Sequence, residues 1–376
     1  MMQSPQNFLR KYWAECAVIG ITILALGIRL YNLTFQCYNV DEIFTAQVAA
    51  NTSLQIIHWS LSVDCNPPLY YLAAHWSSVL LGSIDQFSIR IPAVIFGVLA
   101  IPVVYLTGKE LRNTTLGLLT ATSMTIMFPF FFYSQDGRAY TLVLLAFLCF
   151  TYFYIKIVKG DTRTRILTAA GFFAALCLWS HYYSAIPLVI AILLLFTNKQ
   201  KLAALEVSVI TGLLLLPMVL FINIPNLLSR AAPWVFGATY QLGTTPQAMA
   251  ISPGNMILYL PFELWSYSCL VIVPLALFAL WKYRGKVFRY FAIITLGSMT
   301  VLVILSHFTN ALPRYALLIS PLFILMALYP VSEIIDNQNR VSKKIAIALL
   351  FLFLIFIFNI MSIISWTTYN ICYMVN

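Results

Sequence analysis

Charged residues are scarce in this sequence. Its 376 residues include 22 Lys and Arg and 12 Asp and Glu, so only 9% of the chain is charged, whereas 61% is hydrophobic. Soluble domains carry about 25% charged residues, and disordered chains are poor in apolar residues, so both classes are excluded. The basic residues lie scattered between apolar runs, so the net charge of +10 indicates no nucleic-acid partner. We expect an all-α polytopic membrane protein.

Cysteine pairs with metal-binding spacing are also missing. The seven cysteines form no Cys-x-x-Cys pair, which argues against a zinc site built from thiolates. Cys37 and Cys65 share one polar segment. If that segment is extracytoplasmic, a Cys37–Cys65 disulfide is one alternative and two free thiols are the other.

Long apolar runs dominate the chain instead. About 20 apolar residues cross the hydrocarbon core as a helix. We count about 11 such segments, near residues 13–31, 90–108, 115–133, 139–157, 165–180, 184–198, 202–222, 256–281, 288–306, 313–331 and 344–366. The stretch Pro68–Leu81 is too short to cross, and we interpret it as an interfacial or re-entrant helix. Residues 1–376 are expected to form a single membrane domain with no separate soluble domain.

The basic residues predict the orientation of these helices. With the N-terminus in the cytoplasm, 17 of the 22 Lys and Arg residues fall in inner loops, and five arginines remain outside. Counting Pro68–Leu81 as a full span would turn most of the basic loops outward, against the positive-inside rule. We therefore expect an N-in, C-out protein. Because the inner charges serve orientation, the few outer charges are the better candidates for function.

Two outer segments are long, covering residues 32–89 and 223–255. The first contains Asp41 and Glu42, followed by apolar residues at helical spacing. The structural interpretation makes Asp41 a helix cap and Glu42 a solvated neighbour. The functional interpretation makes Asp41 a general base at the membrane surface. The two interpretations are compatible.

Shorter outer turns carry further polar residues. One turn holds Asp136 and Arg138, a second holds His181 and Tyr182, and Arg314 lies at the outer end of a late span. Taken singly, these are a surface ion pair, a hydrogen-bonded histidine and a snorkelling anchor. Taken together, arginines beside carboxylates at one membrane surface suit a lipid phosphate, because guanidinium groups match phosphate geometry.

The order and spacing of the motifs resemble the integral-membrane glycosyltransferases of the GT-C fold, in particular glycosyltransferase family 39. That group includes protein O-mannosyltransferases and the aminoarabinose transferase of lipid A. The resemblance covers most of the chain to about residue 190, with a weaker match near 313–321. The matching elements are Asp41-Glu42, Asn66–Tyr71, Ser88–Pro92, Tyr133–Tyr140, His181–Tyr183 and Pro313–Tyr315.

The resemblance implies a polyprenyl-phosphate-linked sugar as donor and a hydroxyl of a lipid, glycan or protein as acceptor. The site would lie on the extracytoplasmic face of the cell membrane. Asp41 would be the general base of an inverting reaction, and Glu42 would orient the acceptor or tune Asp41. Asn66 stands where relatives often carry His or Lys. The residues expected to contact the donor phosphate or sugar are Arg138, Arg314, Asp136, His181, Tyr182, Asn66 and Arg90.

A metal ion is not expected to be obligatory, because arginine can neutralise a leaving phosphate. The alternative is a divalent cation, Mg²⁺ or Mn²⁺, held by Asp41, Glu42 and Asp136 through oxygen ligands. Two other functions were weighed. A transporter or lipid flippase predicts mid-span charges and an internal repeat, and the sequence has no clear repeat. A non-catalytic subunit of a glycan assembly complex would not require the Asp41-Glu42 pair or Arg138.

Overall fold

A computed structural model describes residues 5–62, 66–197, 200–223, 266–306 and 312–374. These ranges contain helices and no β-strand. Three short 3₁₀ turns cover Tyr182–Ser184, Ser266–Ser268 and Pro313–Ile319, and a π-helical turn covers Val219–Asn223. The α-helices are α1 Pro5–Leu30, α2 Val40–Ala49, α3 Ser53–Ser62, α4 Leu69–Leu81, α5 Gln86–Leu111, α6 Thr114–Ile126, α7 Phe128–Phe132, α8 Tyr140–Val158, α9 Thr164–Ser180, α10 Ala185–Thr197, α11 Lys201–Met218, α12 Cys269–Lys282, α13 Lys286–Leu305, α14 Ser320–Asp336 and α15 Val341–Met374.

The predicted all-α membrane protein is confirmed. Seven helical segments in the described ranges are long and apolar enough to span a membrane, and α9, α10 and α12 are shorter apolar helices. The expected span at 115–133 is divided into α6 and α7, because Met127 adopts an extended conformation and Pro129 follows it in the first turn of α7. The count of 11 and the N-in, C-out orientation remain predictions.

Some expectations fall on parts of the chain outside the described residues. Cys65 is among them, so the Cys37–Cys65 disulfide stays a prediction. The same holds for nearly all of the second long outer segment and for the first part of the span expected at 256–281.

The described part of the first long segment contains three helices, α2, α3 and α4, and the amphipathic spacing after Asp41 predicted the first of them. The short apolar stretch that was predicted to be interfacial forms α4. It packs against the start of α5 through the buried side chains of Tyr70 and Ala74, and it leaves Trp76 and Leu80 exposed. These three helices form a shelf that covers one end of the bundle.

The helices α5, α8 and α14 form the centre of the bundle, whereas α1 and α15 lie at its periphery. The 26 residues of α5 separate its two ends by about 37 Å. Arg112, which follows α5, pairs with Asp336 at the end of α14, and Lys282 pairs with Glu333. Three of the predicted outer arginines, Arg90, Arg138 and Arg314, lie near the opposite end of α5. Arg230 lies outside the described residues, and the assignment of the two ends to membrane sides remains a prediction.

The crossing of α5 and α6 depends on two glycines. A Cβ atom on Gly108 would lie 2.8 Å from the Gly117 Cα atom, and one on Gly117 would lie 2.5 Å from the Tyr105 carbonyl oxygen. Real Cβ atoms do not approach backbone so closely, so the two helices can touch here only without side chains. By contrast, a Cβ on Gly212 of α11 would meet nothing within 4 Å.

We expect Gly117→Ala to destabilise the protein by about 1–3 kcal/mol, because the methyl group forces α5 and α6 apart. Gly212→Ala is the matched control and should be neutral or slightly stabilising, since alanine favours helix by up to about 1 kcal/mol over glycine. Thermal unfolding of both variants in detergent checks this. Equal midpoints for Gly117→Ala and wild type would contradict the close-packed crossing.

Candidate active site

The first turn of α2 sets the position of the two predicted catalytic acids. Asn39 caps the helix, and its side chain accepts a hydrogen bond from the Glu42 N–H at 2.8 Å. The Asn39 N–H donates to Glu42 Oε2 at 3.2 Å, which completes a capping box. The expectation that Asp41 caps the helix is wrong. The Asn-x-x-Glu spacing of Asn39 and Glu42 is the sequence signal that identifies the actual cap, and it leaves the Asp41 side chain outside the cap.

Glu42 forms a buried ion pair with Arg90 at the start of α5. Arg90 Nε and Nη2 donate to the two carboxylate oxygens at 2.6 and 2.7 Å, and both side chains are 2% exposed. Arg90 also donates to the backbone carbonyls of Leu33, Gln36 and Cys37. Every nitrogen of this guanidinium therefore has a partner. The interpretation of Glu42 as a solvated neighbour is wrong, because the pair is internal and fastens the first loop to α5.

The turn between α7 and α8 attaches to the same pair. The Gly137 N–H donates to Glu42 Oε1 at 2.8 Å, and Asn39 Nδ2 donates to Asp136 Oδ1 at 3.2 Å. Asp136 is buried, and burial together with the charge of Glu42 raises the pKa of its carboxyl to about 6. The interpretation of Asp136 as part of a surface ion pair is therefore wrong. By accepting from Asn39 Nδ2, Asp136 Oδ1 holds the side chain that caps α2.

A cavity of about 260 Å³ opens where the shelf meets the ends of α8, α9 and the 3₁₀ turn before α14. Asp41, Asn66, Arg138, His181 and Arg314 line it, so the structure brings together five of the nine predicted site residues. The full lining is Asp41, Asn66, Pro67, Tyr70, Tyr71, Arg138, Ala139, Tyr140, His181, Tyr183, Arg314 and Tyr315.

The other four predicted residues are not part of the described lining. Glu42, Arg90 and Asp136 are buried beside it and hold its parts in place. Tyr182 begins a 3₁₀ turn, and its neighbour Tyr183 lines the cavity instead. A run of adjacent tyrosines shows from sequence that an aromatic wall is present, but the short 3₁₀ turn decides which ring faces inward.

Arg314 and Asp41 are paired across the cavity. Arg314 Nη2 lies 2.9 Å from Asp41 Oδ2, and the two side chains are 30% and 36% exposed. The Arg314 guanidinium carbon also lies 5.7 Å from the centre of the Tyr140 ring, a distance at which a cation interacts with the ring face. The carboxylate proposed as base thus borders the cavity with a cation beside it.

Arg138 is held by the first loop. Its Nη1 donates to the Tyr71 hydroxyl at 3.0 Å and to the Asp41 carbonyl and the Thr45 hydroxyl at 3.3 Å each. Among the residues that the structure describes, the lining carries two guanidinium groups and one carboxylate, a net charge of +1. Such a cavity favours an anion that carries at least one negative charge.

Aromatic rings form a wall along another part of the cavity. The Tyr183 and Tyr315 rings stack at 4.6 Å between centroids, and His181 lies 4.9 Å from Tyr315. Burial and the charges of Arg138 and Arg314 lower the pKa of His181 to about 3, so its ring is neutral at physiological pH. His181 Nδ1 accepts the Tyr183 N–H at 3.3 Å. A cationic role for His181 at a phosphate is therefore disfavoured.

Sequence reasoning missed most of the aromatic lining. Tyr70, Tyr71, Tyr140, Tyr183 and Tyr315 all contribute, and Tyr71 directly holds Arg138. Each lies in or beside a motif that had been noted, such as the pair after Pro67-Pro68. Their clustering was the available signal, but tyrosines are common at membrane interfaces, so the motif alone did not distinguish a site from a boundary.

The three acids proposed as metal ligands are not all available to bind a metal ion. Both oxygens of Glu42 already accept hydrogen bonds, from Arg90, Asn39 and Gly137. Across the described part of the chain, no three His, Cys, Asp or Glu side chains group as metal ligands. The donor chemistry at this site is that of arginine and tyrosine.

Comparison with known proteins agrees with this geometry. A family model described as dolichyl-phosphate-mannose-protein mannosyltransferase matches residues 65–227. That range includes Asn66, Arg138 and His181, and it excludes Asp41 and Arg314. Comparison of the sequence with curated proteins gives no significant match.

Solved structures match nearly the whole chain. ArnT from Cupriavidus metallidurans bound to undecaprenyl phosphate is 12% identical, with a TM-score of 0.61, over 92% of this chain and 63% of that one. The apo oligosaccharyltransferase of Archaeoglobus fulgidus is 13% identical, with a TM-score of 0.64, over 94% and 56%. The same archaeal enzyme, AglB, in complex with an inhibitory peptide and a dolichol-phosphate is 11% identical, with a TM-score of 0.61, over 93% and 56%.

These similarities confirm the GT-C fold and the resemblance to glycosyltransferases of the family 39 type. This chain spans only 56–63% of the length of those structures.

We expect Arg90→Met to destabilise the fold by about 3–5 kcal/mol, because it leaves the Glu42 carboxylate buried without its ion partner. Arg163→Met is the control, since Arg163 and Asp161 form an exposed pair whose loss costs about 1 kcal/mol or less. Thermal unfolding in detergent gives both values. If the two variants unfold at the same temperature, the pair does not fasten the first loop.

Proposed function

We propose that this protein is a membrane glycosyltransferase that moves a sugar from a polyprenyl-phosphate donor to an acceptor hydroxyl. The carrying observation is the single cavity in which Asp41 stands beside Arg138 and Arg314. Such a cavity combines a base with two phosphate-binding cations. The fold supports the proposal, since the matching ArnT and AglB structures hold undecaprenyl phosphate and dolichol-phosphate.

In the proposed reaction, the acceptor hydroxyl oxygen attacks the anomeric carbon of the sugar. The bond from that carbon to the phosphate oxygen breaks, and polyprenyl phosphate leaves with the electron pair. The hydroxyl proton passes to the Asp41 carboxylate. Attack opposite the leaving group inverts the anomeric centre. Glu42 acts through position, because its pair with Arg90 fixes the turn that carries Asp41.

Negative charge develops on the leaving phosphate, and two arginines are available to stabilise it. Arg138 is held by Tyr71 and Thr45 on the shelf, and Arg314 comes from the start of the 3₁₀ turn before α14. Fixed cations at the point where charge develops lower the barrier without reorganisation during the reaction. Asn66 and the tyrosines of the lining would contact the sugar.

We place this cavity on the extracytoplasmic face of the cell membrane. The opposite end of the bundle carries Arg112, Lys156, Lys159 and Lys282, and loops rich in Lys and Arg stay in the cytoplasm. Lipid, glycan and protein hydroxyls are all candidate acceptors. Extracts and membranes of cells that lack the protein should identify the acceptor by mass spectrometry of glycolipids and glycoproteins.

We expect Asp41→Asn to reduce sugar transfer by about 10²–10⁴-fold, because an amide cannot accept the acceptor proton. The measurement is incorporation of labelled sugar into endogenous acceptors of a membrane preparation, using a panel of polyprenyl-phosphate-linked sugars. Asp85→Asn is the matched control. Asp85 caps α5 outside the cavity, and asparagine caps helices equally well, so transfer should persist. Transfer at the wild-type rate by Asp41→Asn would remove Asp41 as base.

We also expect transfer to continue in excess EDTA, because arginines rather than a metal ion neutralise the leaving phosphate in the proposed mechanism. The same incorporation assay, run with chelator and then with added Mg²⁺ or Mn²⁺, measures this. Complete loss of transfer that either ion restores would show that a divalent cation is required.

A further inference from the structure

The ion pair between Asp41 and Arg314 poses a conflict for the proposed reaction. A general base needs a carboxylate oxygen that is free to take a proton, yet Asp41 Oδ2 is held at 2.9 Å by Arg314 Nη2. A donor phosphate needs a cation that is free to bind it, yet Arg314 is the cation that is engaged. While the ion pair persists, Arg314 holds the oxygen that the base would use, and Asp41 holds the cation that the phosphate would use.

The contacts of Arg314 show that its guanidinium is not fully committed. Its Nε is buried and has no hydrogen-bond partner among the residues that the structure describes. Arg90 is the opposite case, since each of its three nitrogens donates to an oxygen. A guanidinium with an unused edge, half-open to a cavity, can turn toward a new anion. One that is saturated and buried cannot.

Arg138 reaches Asp41 through a different atom. It donates to the Asp41 carbonyl and to the hydroxyls of Tyr71 and Thr45, whereas Arg314 donates to the Asp41 carboxylate. A phosphate that approaches Arg314 meets a competing anion already in place, and an anion attracts a guanidinium more strongly than a neutral oxygen does.

We infer that the donor phosphate and the Asp41 carboxylate compete for Arg314, so that donor binding transfers this arginine from Asp41 to the phosphate and releases Asp41 to act as base. The inference rests on the proposed function and adds to it the order of events: donor binding comes first, and the release of Asp41 follows. Without donor, Asp41 is held by its cation. With donor bound, the same arginine neutralises the leaving group, and the freed carboxylate faces the acceptor hydroxyl.

The competition predicts an effect that a simple catalytic role for Asp41 does not. Asp41→Asn removes the competing charge, so it should tighten the binding of undecaprenyl phosphate, by about 1.5- to 5-fold for a partly exposed ion pair. Arg314→Gln should weaken that binding. In the double variant Asp41→Asn with Arg314→Gln, the gain from Asp41→Asn should disappear, because nothing remains to compete for.

The experiment is a double-mutant cycle on the full-length protein in nanodiscs, with undecaprenyl phosphate affinity measured by native mass spectrometry. Arg138→Gln is the matched control. It should weaken binding, while the gain from Asp41→Asn persists in its background. If Asp41→Asn does not fold, Asp41→Ser provides the same comparison.

Three outcomes would count against specific parts of the argument. A gain of equal size with and without Arg314 indicates general charge repulsion and overturns the competition, while the proposed function stands. A gain that disappears equally in the Arg138→Gln background also overturns it. If undecaprenyl phosphate binds neither wild type nor Asp41→Asn, the proposed function itself fails.

Discussion

The Glu42–Arg90 ion pair is the interaction on which the geometry of the site depends. Two charges lose their hydration when they are buried, and their attraction offsets that cost only if the remaining donors and acceptors are also satisfied. Here both carboxylate oxygens and all three guanidinium nitrogens have partners. Glu42 is the third residue of α2 and Asp41 the second, so fixing Glu42 fixes the direction of Asp41. The two adjacent acids therefore have different positions. Glu42 is buried and has a structural role, and Asp41 faces the cavity.

The distribution of charge gives this division its functional meaning. At one end of the bundle, Arg112 and Lys282 are each matched by a carboxylate of α14, which leaves stable ion pairs. At the other end, the described lining of the cavity carries two arginines and one carboxylate. In a chain with so few charged residues, this local excess of positive charge is where an anionic ligand is attracted most strongly.

Sorting charges by membrane side reduced the candidates to a small set of outer residues, and the resemblance to family 39 then singled out Asp41 as base and Arg138 and Arg314 as phosphate contacts. The pairing of Glu42 with Arg90 was not predictable in the same way. The two residues lie 48 positions apart, and one sequence does not show which of several arginines reaches which acid. The cap was not predicted for a different reason. Both Asn and Asp are good N-cap residues, and only the Asn-x-x-Glu spacing of Asn39 and Glu42 distinguishes the actual cap. Helical periodicity predicted the spans, but it could not predict the break at Met127, where one extended residue divides a continuous apolar run.

The short turn between α7 and α8 has a mechanical consequence. Gln135 donates to the carbonyls of Arg29 and Tyr31, Gly137 to Glu42, and Arg138 to Tyr71. Hydrogen bonds from this one turn therefore tie the end of α1 and the shelf to the start of α8. A substitution in this turn would therefore reach three parts of the site at once: the end of α1, the capped first turn of α2, and the cation Arg138.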